Sequence, residues 1–109
     1  ENVVAQQLLS NGFEPYYFKK KNIGEIDFLI EMSGKVVPVE VKSGKTYKSH
    51  KALDNLINMT DYHIEKAYVL SIGNIETKDK ITYLPIYLCY LLKEKNFGRM
   101  IIDLDFSDL

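Results

Sequence analysis

Cysteine is scarce in this sequence, since Cys89 is its single representative among 109 residues. A single cysteine excludes an intrachain disulfide, and with it the small secreted domains that depend on such bridges. Cys89 lies in the apolar run Ile86 to Leu92, so we predict that it packs in the core. Sparse cysteine is also typical of a reducing compartment, and we expect a cytoplasmic location.

Long hydrophobic runs are absent as well. The longest apolar run, Leu84 to Leu92, is too short to span a bilayer, and no secretory signal is visible. We therefore expect no membrane partner. The first residue is Glu1 rather than Met, which predicts that the chain is a piece of a longer protein.

An excess of charge of one sign is also missing. Charged residues make up 27% of the chain, yet its formal net charge is -1. This balance excludes a uniformly basic coat for nucleic acid and leaves room for a local basic face. The length and the apolar fraction of 46% indicate one globular domain with one core.

Several motifs of enzyme chemistry are absent too. Gly44-Lys45-Thr46 resembles the end of a phosphate-binding loop, but the earlier glycine and the strand-to-helix context are missing. We find no Ser-His-Asp or Cys-His arrangement. His50 and His63 have no ligand partner at metal-binding spacing, and we predict that both are surface residues.

The apolar periodicity predicts an α/β domain with the element order α-β-β-β-α-β-β-α. Helices are predicted over 1–11, over 49–59 and shortly after residue 85, and strands over 16–18, 26–31, 36–42, 67–72 and 81–84. Residues 73–80 are predicted to form a polar loop. The strand-helix-strand succession predicts a parallel crossover within a mixed sheet.

The second and third strands are predicted to form a hairpin around Ser33-Gly34, with Met32 facing Lys35. A two-residue turn and a four-residue loop give the same register. That register sets three apolar pairs on one core-facing side: Ile26 with Val41, Phe28 with Val39, and Ile30 with Val37. The side chains expected to be mostly buried are Val4, Leu8, Ile26, Phe28, Ile30, Val37, Val39, Val41, Leu53, Leu56, Val69 and Leu70.

The same register sets Asp27 opposite Glu40 and Glu25 opposite Lys42. Opposed side chains have Cβ atoms roughly 4.5–5.5 Å apart, so the two carboxylates repel unless something compensates. A divalent cation such as Mg²⁺ or Mn²⁺ compensates well, because it prefers hard oxygen ligands. Lys42 lies two residues after Glu40 and therefore projects from the same side.

Two interpretations of this charged face stay open. It is either a metal site or a solvated strand face on which Glu25 pairs with Lys42. Asp is a poor strand former, so its presence at position 27 favours a specific role.

Two groups of side chains suggest contacts to nucleic acid. The lysines are Lys19, Lys20 and Lys21 in one cluster, and Lys42, Lys45, Lys48 and Lys51 at every third position in another. They suit either phosphate-backbone contacts or an ordinary solvated surface. Three tyrosines, Tyr16, Tyr17 and Tyr47, are candidates for base stacking, although packing with an exposed hydroxyl is the interpretation we favour.

Two segments together resemble a known family. Gly24-Glu25-Ile26-Asp27-Phe28, followed by Val39-Glu40-Val41-Lys42-Ser43-Gly44-Lys45, is similar to the D…ExK core of PD-(D/E)XK nucleases and Holliday-junction resolvases. Over residues 1–92, including the opening helix and the stretch 83–87, the chain resembles DUF4143, a domain found at the C-terminus of certain AAA-type ATPases. Ile26 stands where the motif has proline.

The resemblance implies an α/β fold with a mixed central sheet flanked by helices, in a domain over 1–93 followed by an extension over 94–109 of unknown structure. It implies Mg or Mn bound by Asp27 and Glu40, with the Val41 carbonyl as a further ligand. Lys42 would then act on the attacking water and the phosphate, and Glu1 would be an auxiliary ligand or base.

The function expected from the resemblance is metal-dependent hydrolysis of DNA, with DNA and an ATPase domain of the same parent chain as partners. Lys19, Lys20, Lys21, Lys45, Lys48 and Lys51 would contact nucleic acid. The alternative is a non-catalytic nucleic-acid-binding or regulatory module of an ATPase that retains the fold.

Overall fold

The computed structural model describes residues 2–93, which form an α/β arrangement built on one mixed sheet. The elements are α1 (Asn2–Ser10), β1 (Tyr16–Lys20), β2 (Gly24–Met32), β3 (Lys35–Val41), α2 (Lys51–Asn58), β4 (Ala67–Ser71), β5 (Glu76–Lys78) and β6 (Ile81–Pro85). Two short 3₁₀ segments, Thr60–Tyr62 and Ile86–Leu91, complete the described part. Position 1 and the extension predicted over 94–109 lie outside the described residues.

The six strands lie in the order β1-β2-β3-β4-β6-β5. The first three pair antiparallel, whereas β3, β4 and β6 run parallel to one another. The parallel crossover predicted from the strand-helix-strand succession is therefore confirmed, with α2 as the crossing helix. No helix within residues 2–93 is long and apolar enough to cross a membrane.

One strand was not predicted. β5 lies within the segment expected to be a polar loop, and it pairs antiparallel with β6 at the edge of the sheet. All three of its residues are exposed, so they carry no alternation of apolar and polar side chains. The apolar helix expected after Pro85 is present as the 3₁₀ segment Ile86–Leu91.

The β2–β3 connection is the two-residue turn, one of the two forms that the sequence allowed. Ser33 and Gly34 have φ angles of 53° and 78°, the left-handed pair that suits the twist of a tight hairpin. Met32 then pairs with Lys35, and the pairing continues to Phe28 with Val39. The predicted register is confirmed over this range.

The sheet is buried on both faces. On the first face α1 and the segment Ile86–Leu91 pack against Ile30, Val39 and Leu70, together with their buried neighbours. On the second face α2 packs Leu53 and Leu56 against a separate group of buried side chains. Of the core positions predicted from the sequence, all are buried except Phe28 and Val41, which are partly buried.

The prediction that Ile26 shares a face with Phe28 and Ile30 is wrong. Ile26 packs on the α2 side, whereas Ile30 lies on the α1 side with Phe28 against it. The cause is an irregularity in β2: Tyr16 pairs with Leu29 and Phe18 with Ile26, so three steps on β2 face two steps on β1. One extra residue is a β-bulge, and it moves the following side chains to the other face.

Candidate functional site

The carboxylates of Asp27 and Glu40 meet where the regular pairing of β2 with β3 stops. The Asp27 backbone N–H donates to Glu40 Oε1 at 2.8 Å. In return the Val41 backbone N–H donates to Asp27 Oδ2, also at 2.8 Å. Each side chain thus bonds to the backbone of the opposite strand, so the structure brings the two predicted ligands together.

The β2 bulge explains why an aspartate is tolerated here. It spans the positions between Ile26 and Leu29, which include Asp27. A bulge disrupts the ladder, and an aspartate that would weaken a regular strand can instead bond to a backbone donor. Bulges also re-aim side chains and are common beside active sites.

The carboxylates of Glu40 and Asp27 differ in burial. Glu40 is only 6% exposed, while Asp27 is partly buried. Backbone donors hold an anion more strongly than they hold a neutral acceptor. These two bonds therefore offset part of the repulsion between the two carboxylates, even without a cation.

Lys42 directly follows β3. Its backbone N–H donates to the Leu70 carbonyl at 2.8 Å, so its main chain is fixed to the neighbouring strand β4. Its partly buried side chain makes no hydrogen bond or ion pair with any residue in 2–93. The alternative pairing of Lys42 with Glu25 is not formed, because Glu25 lies 3.5 Å from Lys19 instead.

Asp27 and Glu40 are the two side chains that would hold a metal at this site. Within residues 2–93 no group of three or more His, Cys, Asp or Glu side chains is placed to hold a metal ion. Glu1, the predicted auxiliary ligand, lies outside the described residues. The donor chemistry still fits Mg²⁺, which proteins commonly hold by one or two carboxylates while it keeps several waters.

The predicted nucleic-acid lysines fall into two groups. Three have local partners: Lys19 pairs with Glu25, Lys20 Nζ donates to the Tyr62 hydroxyl at 3.0 Å, and Lys48 lies 2.7 Å from Glu76. The side-chain bond to Glu76 raises the pKa of Lys48 above its ordinary value. The remaining three are exposed and have no side-chain partner among the described residues: Lys21, Lys45 and Lys51.

The three predicted tyrosines also differ. Tyr47 is partly buried and packs edge-on against Tyr83, with ring centroids 5.9 Å apart, which agrees with the packing interpretation. Tyr16 and Tyr17 are each 61% exposed on the edge strand β1. The interpretation that the ring packs while the hydroxyl is exposed therefore does not hold for Tyr16 and Tyr17, whose side chains are mostly exposed.

His50 is not the surface residue that the sequence predicted. It is 6% exposed, with Nε2 lying 2.7 Å from the Tyr83 hydroxyl and Nδ1 lying 2.9 Å from Asp54 Oδ1. Burial raises the pKa of the Tyr83 phenol. The spacing of His50 and Asp54, four apart at the start of α2, is a signal that sequence reasoning missed. His63 is exposed as predicted.

A pocket of about 620 Å³ opens beside this histidine, lined in part by His50, Asp54, Glu76 and Tyr83. Because Glu40 pairs with Val69 and Val69 pairs with Tyr83, Glu40 of the carboxylate pair and Tyr83 of the pocket wall lie in one row across the sheet.

Comparison with known proteins gives one family. No curated protein and no solved structure matches the chain. Residues 1–89 match the family described as "Domain of unknown function (DUF4143)". The match covers most of the 109 residues, and the chain therefore belongs to the DUF4143 family.

Proposed function

We propose that this chain is a PD-(D/E)XK nuclease-like domain that hydrolyses DNA phosphodiester bonds with the help of Mg²⁺ or Mn²⁺. The observation that carries the proposal is the reciprocal pair of bonds that joins Asp27 to Glu40 at the β2 bulge. Lys42, without a side-chain partner in residues 2–93, directly follows β3. Two carboxylates and one cation are the groups that the D…ExK likeness requires.

Each residue has a definite task in this proposal. Asp27 and Glu40 present hard anionic oxygens from two strands. Each carboxylate has about four acceptor positions, and a backbone donor occupies one of them. A divalent ion held there supplies Lewis-acid polarisation of the phosphate and lowers the pKa of a bound water. Lys42 places a positive charge where the phosphate gains negative charge in the transition state.

The place of the site in the fold supports the proposal. The site lies at the carboxyl end of β3, which is the first of three parallel strands. Ligands of open α/β sheets bind outside the carboxyl ends of parallel strands. The mixed sheet with helices on both faces is also the architecture that the PD-(D/E)XK likeness implies.

The wider context is proposed from the likeness rather than from geometry. We infer that the parent chain is an AAA-type ATPase with this domain in its C-terminal part, that DNA and the ATPase domain are its partners, and that it acts in the cytoplasm. Lys21, Lys45 and Lys51 are the strongest candidates for phosphate contacts, because they are exposed and have no side-chain partner among the described residues.

One observation favours a second function, a non-catalytic binding or regulatory module of an ATPase. The described site has two carboxylates rather than three or more metal-ligating side chains in residues 2–93, and both already bond to backbone amides. Such a site can stay folded as an ordinary charge cluster, without any metal.

A calorimetric titration with Mn²⁺ separates the two functions. The nuclease proposal predicts saturable binding of Mn²⁺ to the wild-type chain. It also predicts that Asp27→Asn loses this binding, because one of the two anionic ligands is removed. Heat equal to the dilution blank for both proteins, together with DNA binding that does not depend on metal, would support the binding module instead.

A further inference from the structure

The loop over residues 42–50 joins β3 to α2. It carries Lys42 of the candidate site and two of the predicted nucleic-acid lysines, Lys45 and Lys48. Its first end is fixed by the bond from the Lys42 backbone to the Leu70 carbonyl. Its far end is fixed by a cluster of side chains that the candidate site does not include. We call this cluster the latch, and its members are Tyr47, Lys48, His50, Glu76 and Tyr83.

His50 and Tyr83 are the centre of the latch. His50 precedes α2, and its buried imidazole joins the Tyr83 hydroxyl on β6 to Asp54 on the helix, at 2.7 and 2.9 Å. Nε2 forms a hydrogen bond with the Tyr83 hydroxyl, and Nδ1 forms one with the Asp54 carboxylate. Removal of the Tyr83 hydroxyl therefore leaves the buried His50 Nε2 without a hydrogen-bond partner, which destabilises the fold.

The rest of the latch presses the loop onto the sheet. The Tyr47 ring lies so close to Gly73 that a Cβ at that position would come within 2.5 Å of its Cζ and hydroxyl oxygen. Lys48 pairs with Glu76 at 2.7 Å, and its Nζ also lies 5.8 Å from the Tyr83 ring centroid. Three contacts of different kinds thus hold the same short stretch of loop.

The latch stands close to the carboxylate pair. Glu40, Val69 and Tyr83 occupy matched positions on three neighbouring parallel strands. Neighbouring strands are roughly 4.8 Å apart, so the backbones of Glu40 and Tyr83 are separated by about 10 Å. Lys45 lies three residues after Lys42, which limits their Cα separation to about 11 Å.

We propose that His50 and Tyr83 are positioning residues that hold the 42–50 loop so that Lys45 contacts a phosphate of DNA bound at the Asp27–Glu40 site. The inference rests on the proposed function and adds to it a means of substrate binding. His50 and Tyr83 do not touch the substrate. Because Lys42 has its own anchor on β4, the latch governs affinity for DNA rather than the chemical step.

The first arm of the test reads the loop without any DNA. The Ser49 backbone N–H donates to the Thr46 carbonyl at 2.9 Å within the loop, so hydrogen exchange at Ser49 reports loop order. In Tyr83→Phe and in His50→Ala this exchange should speed up by about fivefold or more, the equivalent of one lost hydrogen bond. In His50→Gln, whose amide can serve both neighbours, exchange should return toward the wild-type rate.

The second arm measures cleavage of a DNA duplex with Mn²⁺. The same two variants should raise KM by about fivefold while kcat stays unchanged, as expected when binding alone is weakened. Tyr83→Phe keeps the ring, so it remains informative if His50→Ala fails to fold. Tyr87→Phe and His63→Ala are the matched controls, since both side chains are exposed and far along the chain from the loop.

The outcomes separate the inference from the proposed function. Faster exchange at Ser49 with unchanged KM makes the latch a purely structural device and overturns the inference, as does a fall in kcat at unchanged KM. A wild-type chain that neither binds nor cleaves DNA overturns the proposed function and removes the role of Lys45 with it. Faster exchange with raised KM and constant kcat, rescued by His50→Gln, supports the inference.

Discussion

Replacing Asp27 by asparagine should leave the metal-free fold as stable as before, or more stable. Asparagine keeps an oxygen that can accept from the Val41 N–H, which now lies 2.8 Å from Asp27 Oδ2. Its amide group can also donate to the Glu40 carboxylate. That carboxylate already accepts a hydrogen bond from the backbone N–H of position 27. The exchange removes one of two adjacent negative charges without changing the size of the side chain.

The magnitude follows from two opposing terms. Two unit charges about 5 Å apart repel by about 3 kcal/mol at an effective dielectric constant of 20, and partial exposure of Asp27 reduces this. Exchanging a charged hydrogen bond for a neutral one costs about 1 kcal/mol. The free energy of unfolding should therefore rise by roughly 0–2 kcal/mol, and the Tm by up to about 15 °C.

Mn²⁺ should stabilise the wild type and leave the Asp27→Asn protein unchanged, because the variant has lost a metal ligand. At a Mn²⁺ concentration of ten times Kd the wild-type fold gains about 1.4 kcal/mol, which raises its Tm by about 6–10 °C. The Asp27→Asn protein should show no such rise. Thermal melts followed by circular dichroism, with Mn²⁺ and then with excess chelator, measure both effects on the same samples.

Glu31→Gln is the matched control, because Glu31 is an exposed carboxylate on the same strand. It should respond to Mn²⁺ as the wild type does. A loss of more than about 2 kcal/mol in metal-free Asp27→Asn would refute the account of opposed charges. An equal rise of Tm in all three proteins would show that Mn²⁺ binds elsewhere.

Two other changes test the fold around the site. Leu70→Ala should cost about 2–5 kcal/mol in urea unfolding, because Leu70 is fully buried on the central strand β4, whereas a loss below about 1 kcal/mol would contradict that packing. Burial raises the pKa of the Tyr68 phenol well above its ordinary value of 10.0, so the folded state favours the protonated form. Stability should be complete below pH 10 and decline as pH rises further, by about 1.4 kcal/mol at pH 11. Urea midpoints at pH 9 and 11 should show this decline in the wild type and a smaller one in Tyr68→Phe.

The hairpin could be predicted because two independent signals agree on it. Ser33-Gly34 marks the turn, and the apolar residues beyond it alternate in step on both strands. Pairing of Met32 with Lys35 and of Phe28 with Val39 follows from these two signals alone. The predicted register also set Asp27 opposite Glu40, and two backbone–carboxylate bonds bring these residues together beyond the last regular pair.

The bulge could not be predicted, although it changes the face of Ile26. Ile26, Phe28 and Ile30 alternate as they would in a regular strand, and both faces of the sheet are apolar. A residue that the bulge moves to the other face is therefore still apolar on an apolar face, and the sequence pattern does not change. Only the pairing with β1 exposes it, since Tyr16 meets Leu29 while Phe18 meets Ile26.

The burial of His50 was hidden for a different reason. It stands among lysines in a loop, which favours a surface position, and its partner Tyr83 is distant in sequence. Strand β5 was missed because its three residues are all exposed and polar. Contacts between segments far apart in the chain, rather than local preference, decide both features.

Nicking of supercoiled plasmid by the purified chain tests the central claim most directly. With millimolar Mn²⁺ the wild type should convert supercoiled DNA to the open-circular form, and excess chelator should stop the reaction. Asp27→Asn should be inactive, and Lys42→Ala should bind Mn²⁺ normally but cut about a hundredfold more slowly, because the proposal assigns Lys42 to the transition state. Absence of nicking by the wild type, or equal rates in all three proteins, would contradict the nuclease assignment and leave the binding module as the function of the Asp27–Glu40 site.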